Sequence, residues 1–236
     1  MRRTLRVGAG TFAAIAVCML APASGMRGVG HPVLVISLAL AIVLVVAIGR
    51  EAWRQQRLAA SMARLGRAAT IDGRSVALVP GLEAALVAGL RHPRIFCADD
   101  LPQRLDAEEL RAVILHEHHH QLEGGPARLV LIGAVSPVLG RLESGRAWME
   151  RERARIEIAA DAYAIESGAS RPALASALLK LASSPRLGLA PGFASAADLR
   201  VRALLGEATG LESGGSSGQI VAAIVLVASC VALYLK

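Results

Sequence analysis

Apolar residues gather in three long runs, Val7 to about Ala23, Val33 to Ile48 and Ile220 to Leu235. Pro32 and Gly49 edge the second run, which is just long enough to cross a hydrocarbon core. The pattern predicts two transmembrane helices within residues 1–49 and a third over 220–235, with a folded domain over 50–211 and a Gly/Ser linker over 212–219. Ala21-Pro22-Ala23 also has the small-x-small form of a signal-peptide cleavage site, but we read the first run as an uncleaved helix.

The interior alternates shorter patterns. Glu51 to Leu65 has helical spacing and predicts an extension of the second membrane helix. Val76 to Pro80 and Arg94 to Cys97 predict short strands bounded by Gly and Pro, whereas Leu82 to Leu90 fits either state. Asp106-Ala107-Glu108-Glu109 predicts a helix start with a capping box. That helix continues through Leu110, Val113 and Ile114 until Gly124, Gly125 and Pro126 stop it. Leu129 to Leu139, interrupted by Pro137, is too short to span and predicts a core helix or a re-entrant segment. Arg146 to Ser167 predicts a long helix ended by Gly168, on which Glu150 to Arg153 and Arg155 suggest a solvated face. Ser170 caps a further helix through Leu181, Ser183 to Phe193 reads as a loop, and Ala194 to Leu205 reads as a last interior helix.

Composition agrees with membrane insertion. Apolar residues make up 54% of the 236, above the usual soluble range, and mean hydropathy is +0.48. The net charge is +7, carried nearly all by Arg, yet aromatics are only 3%, so no basic-aromatic surface suggests direct nucleic-acid binding. The charge instead reads as topology. Arg27 stands alone between the first two runs, and Arg50, Arg54, Arg57, Arg64 and Arg67 follow the second, which predicts a cytoplasmic interior domain. Cys18, Cys97 and Cys230 are spaced for neither a disulfide framework nor a thiolate metal site, and packing is their expected role.

The chemistry concentrates in Leu115-His116-Glu117-His118-His119-His120-Gln121. On a helix, His116 and His120 project from one face, one turn apart, and can grip one zinc ion. Glu117 lies about 100° further round, within reach of a water at such a site, where a carboxylate base is needed. A catalytic zinc takes three protein ligands, and the best third candidate is Glu157, with Asp161 one turn beyond it to orient a ligand histidine. His119 flanks this face, while His118, His31 and His92 suggest packing or solvated roles. Tyr163 and Arg200 are conceivable oxyanion stabilisers between which the sequence does not choose.

His-Glu-x-x-His followed by Glu-x-x-Ala-Asp resembles the gluzincin metallopeptidases, above all the BlaR/MecR-type membrane peptidases of metallopeptidase family 56. The HtpX and Ste-type membrane proteases of family 48 share the pattern. The resemblance covers roughly Val79 to Leu205 and includes Gly89-Leu90-Arg91-His92-Pro93-Arg94-Ile95-Phe96 and Leu105-Asp106-Ala107-Glu108-Glu109-Leu110. It implies a mainly α membrane protein, with a zincin-like catalytic domain and a small edge sheet between transmembrane helices. It further implies His116, His120 and Glu157 as ligands of Zn2+, Glu117 as general base and Asp161 as partner of a ligand histidine. The implied substrate is a regulatory protein such as a transcriptional repressor. An HtpX-like quality-control protease and a non-catalytic zinc-binding scaffold are the alternatives. Two departures stand out. Many family members have an acidic residue where this chain has Gly125, with Glu123 only nearby. The chain also has no room for the extracellular penicillin-binding sensor of the signal-sensing members.

Overall fold

The computed structural model describes residues 30–182, 200–204 and 206–207. The chain divides into two units, and the larger, Val46–Glu212, holds the features described below, apart from the first half of one helix. The expected runs at 7–23 and 220–235, the linker at 212–219 and the loop at 183–193 lie outside the described residues.

The element order is α1 (Gly30–Leu65), β1 (Arg67–Ile71), β2 (Arg74–Val79), β3 (Ala85–Ala88), β4 (Arg94–Ala98), α2 (Leu101–Arg104), α3 (Ala107–Leu122), α4 (Gly125–Leu139), α5 (Glu143–Glu166) and α6 (Arg171–Ala182), with 200–204 again helical. The fold is mostly helical with one small mixed sheet, in the order β1-β2-β4-β3. β1 and β2 form an antiparallel hairpin, β2 and β4 run parallel, and β3 pairs antiparallel with β4 as an edge strand among the described residues. The hairpin turns on Asp72 and Gly73, both at positive φ (49° and 72°), as a tight two-residue turn matched to strand twist requires.

Both faces of the central strands are covered, which explains why β4 reads as a continuous apolar run. Val76, Leu78, Ile95 and Cys97 pack on one side with Val113 and Ile114 of α3 and Ala177 of α6. Val79 and Phe96 face the other way and pack with Met62 of α1. Alternate strand residues therefore serve two helical layers. Ala112 and Leu115 of α3 join Ala164 of α5, Leu174 of α6 and Leu204, while Ile132 of α4 joins Met149 and Ile156 of α5. The small side chains of Ala112, Ala160 and Ala164 are fully buried and let the helices approach closely.

α3 begins as expected. Asp106 Oδ1 accepts from the Glu109 N–H and Glu109 Oε2 accepts from the Asp106 N–H, each at 2.9 Å. Such a cap contributes about 1 kcal/mol. Glu109 is also buried and receives Ser176 Oγ at 2.5 Å and Lys180 Nζ at 2.6 Å, so the start of α3 is pinned to α6. Gly124, at φ 68°, turns the chain out of α3. Pro126 does not only stop that helix. It sits in the first turn of α4, where its missing N–H is no loss, so α4 starts four residues before the expected apolar segment. Pro137 lies inside α4 near its end.

Among the described residues no single helix is long and apolar enough to cross a membrane, so the span expected over Val33 to Ile48 within α1 is not shown. The pair α3 and α4 meets the length and composition requirement together but is bent by 69°.

Candidate metal centre

α3 presents His116 and His120 one turn apart, and α5 brings Glu157 against them. His116 Nε2 lies 3.1 Å from His120 Nε2 and 3.3 Å from Glu157 Oε2, and His120 Nε2 lies 3.6 Å from Glu157 Oε1. Zinc bonds of about 2.0–2.1 Å at tetrahedral angles place neighbouring ligand atoms about 3.3 Å apart. The two imidazole nitrogens lie near that separation and a different oxygen of Glu157 approaches each of them, so the group can hold a metal ion.

The surroundings fix which atoms face inward. His116 is buried, and its Nδ1 lies 2.8 Å from Asp161 Oδ1. Because Asp161 is a carboxylate and only accepts, Nδ1 donates to it and Nε2 is the nitrogen turned toward the cluster. Asp161 is held in turn by Arg200, whose Nε donates to Oδ2 at 2.8 Å and whose Nη2 donates to Oδ1 at 2.7 Å. Arg200 Nη1 also lies 3.2 Å from Glu157 Oε2. One guanidinium thus ties both carboxylates of α5 to the segment 200–204.

The charges follow. Burial works to lower the pKa of His116, but hydrogen bonds to Asp161 and Glu157 outweigh it and raise it to about 9. Burial and the charge of His116 lower His120 to about 4. Burial alone would raise Glu157, yet the bond from His116 and the nearby positive charges take it down to about 2. Asp161 is lowered likewise, its burial outweighed by the bonds from Arg200 and His116. The cluster therefore keeps its carboxylates ionised and favours a cation between its donor atoms. Glu117 behaves in the opposite way. It is buried, and desolvation raises it to about 7, opposed by the positive charges of His116 and Arg200 and helped by the negative charge of Glu157. Two carboxylate environments are thus driven apart within one site, as acid–base chemistry near neutral pH demands.

The other residues singled out from the sequence fall into place as follows. Arg200 belongs to the carboxylates of α5 and is not free for an oxyanion. The Tyr163 ring packs 5.1 Å from the ring of His119, and His118 Nδ1 lies 3.2 Å from Gln121 Oε1. His92 is exposed. Cys97 is fully buried in the core, and burial, followed by the charge of Glu117, pushes its thiol up to about 12. Gly125 has a steric reason to lack a side chain, because a Cβ there would lie 3.0 Å from His120 Cβ and 3.3 Å from His120 Nδ1. Glu123 is engaged with Arg128 at 3.1 Å.

One expectation is corrected. Glu152 is not part of a solvated face. It is buried, and its Oε1 accepts from Arg155 Nη1 at 2.6 Å. Glu152 and Ile156 lie one turn apart along the buried side of α5, and a charge-only reading of the sequence misses that.

Comparison with protein-family models, curated proteins and solved structures gives no match to this chain.

Proposed function

We propose that the chain is a membrane-anchored zinc endopeptidase that hydrolyses a protein substrate at the cytoplasmic face of the bilayer. The observation that carries this reading is the convergence of His116 Nε2, His120 Nε2 and the Glu157 carboxylate, with contacts of 3.1, 3.3 and 3.6 Å, beside the buried Glu117, whose pKa is raised to about 7. A purely structural zinc site closes its fourth position with a protein ligand and has no use for a base.

Zinc at this site would supply a Lewis acid for the scissile carbonyl and lower the pKa of the attacking water. Glu117 would accept a proton from the attacking water as its oxygen adds to the carbonyl carbon. Glu117 then passes the proton to the leaving amine as the C–N bond breaks. Asp161 keeps His116 in the tautomer that presents Nε2. Among the described residues β3 is an edge strand packed against α3 and α4, and the outward N–H and C=O groups of an edge strand suit an extended peptide laid alongside.

Membrane attachment is supported by α1. Ile42, Val43, Val45 and Val46 are each more than half exposed, as suits lipid and not water. Arg50, Trp53, Arg54 and Arg57 follow, with the Arg57 guanidinium 4.6 Å from the Trp53 ring centre, an arrangement of the kind found where a helix leaves the bilayer.

The test is zinc content of the purified full chain in detergent. Wild type and Glu117→Ala should hold about one zinc per chain, and His116→Ala or His120→Ala should lose most of it. Equal loss in all three variants would make Glu117 a ligand and overturn its role as base.

A further inference from the structure

α4 is an apolar helix packed on more than one side, with Leu131 and Val138 sharing an uncovered face. Val130, Ile132 and Ala134 are buried, whereas Leu129, Leu131, Val138 and the following Leu142 are 44–62% exposed. No acidic residue occurs between Glu123 and Glu143, and exposed Arg141 stands just past the end of the helix. A cluster of exposed leucines and valines on a folded domain marks a contact surface.

The depth of this surface relative to a bilayer follows from a second contact. Gly133, at the middle of α4, lies against Glu51 of α1: a Cβ there would be 3.4 Å from Glu51 Cγ and 3.5 Å from its Oε2. Glu51 directly follows Arg50, the first charged residue after the apolar run, and comes just before Trp53. Val46, exposed and apolar, precedes it by roughly 7.5 Å along the helix axis at about 1.5 Å per residue. Helices that lie in a membrane interface bury their apolar side about 5–10 Å into the headgroup boundary. The middle of α4 therefore lies at the headgroup level of α1, roughly 7.5 Å beyond Val46, which is the level at which interfacial helices lie.

We propose that α4 lies in the interface of the cytoplasmic leaflet, with Leu131 and Val138 among the upper acyl chains and Arg141 among anionic headgroups. This rests on the membrane attachment proposed above for α1. It extends that reading, because a lone anchor would leave α4 in water. α3, with His116 and His120, is joined to α4 through Gly124, so the metal centre is held close to the lipid surface.

The experiment uses the full chain with Cys18→Ser and Cys230→Ser, keeping the buried Cys97. A single environment-sensitive fluorophore is placed at Leu131→Cys, Val138→Cys, Val43→Cys or the exposed Glu150→Cys. The chain is reconstituted into phosphatidylcholine–phosphatidylglycerol vesicles whose acyl chains carry bromine. Loss of fluorescence at 43, 131 and 138, with none at 150, supports the proposal. Loss at 43 with none at 131 and 138 overturns it and leaves the anchor intact. No loss at 43 overturns the anchor and the proposal with it. Both α4 positions are exposed, so either variant serves should the other fail to fold.

Discussion

Arg200 offers the most informative perturbation of the centre. Its guanidinium makes two short hydrogen bonds to Asp161, at 2.8 and 2.7 Å, and approaches Glu157 at 3.2 Å. Asp161 is almost completely buried, so Arg200→Gln leaves its carboxylate with His116 as its partner among the described residues. Breaking a fully buried pair destabilises by about 3–5 kcal/mol. Glu157 keeps a third of its side-chain surface, so its share is screened and the lower end applies. Losing the group that orients a metal ligand lowers affinity by roughly 10- to 100-fold, and Asp161, left mobile, should produce a loss in that range. Arg200→Lys keeps the charge but not the two-pronged geometry and should fall between. The assay is the zinc dissociation constant by chelator competition, with peptide cleavage measured at saturating zinc. Unchanged zinc affinity with lost cleavage would refute this reasoning and return Arg200 to the role of oxyanion stabiliser.

Glu157→Ala should abolish zinc retention, Asp161→Ala should weaken it about 10- to 100-fold, and the exposed Glu150→Ala should leave zinc content unchanged. Zinc loss in Glu150→Ala with retention in Glu157→Ala would mean a wrong helix register. Gly125→Ala should weaken zinc binding by pushing His120 Cβ, despite the better helix propensity of Ala, and chelator competition would read this directly. Hydrogen bonds from Lys180 and then Ser176 hold Glu109 down to about 2. A lowered pKa contributes stability that is full above about 4.5 and is lost as pH falls toward 2. The melting temperature of Glu109→Gln should therefore fall below wild type near neutrality, with the gap closing across that acid window. A constant gap from pH 7 to 2 would contradict this.

What was legible in the sequence was local. The capping box at Asp106 and Glu109, the one-turn spacing of His116 and His120, and the Ser170 cap, whose Oγ accepts from the Ala173 N–H at 3.2 Å, depend only on near neighbours. β1 was missed although Asp72-Gly73 is a strong hairpin signal, because Arg67–Ile71 is half polar and its partner lies on a strand read from Val76 onward. β3 stayed ambiguous because a short apolar segment buried against a helix has no periodicity of its own. Pro126 reads in the sequence as a helix stop, but a proline there also opens the next helix. Arg200 was noticed for the wrong reason. Its contacts span 39 positions to Asp161, and nothing nearby in sequence announces them. Glu152 shows the same limit, since charge alone did not separate a buried pair from a wet one.

The central claim is that this metal centre breaks peptide bonds, and Glu117 decides it. Wild type and Glu117→Gln, each loaded with about one zinc as a three-ligand site should hold, would be reconstituted into vesicles and offered a membrane-derived protein mixture. New N-termini would be counted by mass spectrometry. Cleavage by wild type, and its loss in a Glu117→Gln variant that still holds zinc, is the predicted result. Equal cleavage by both forms, or none by zinc-loaded wild type, would contradict it.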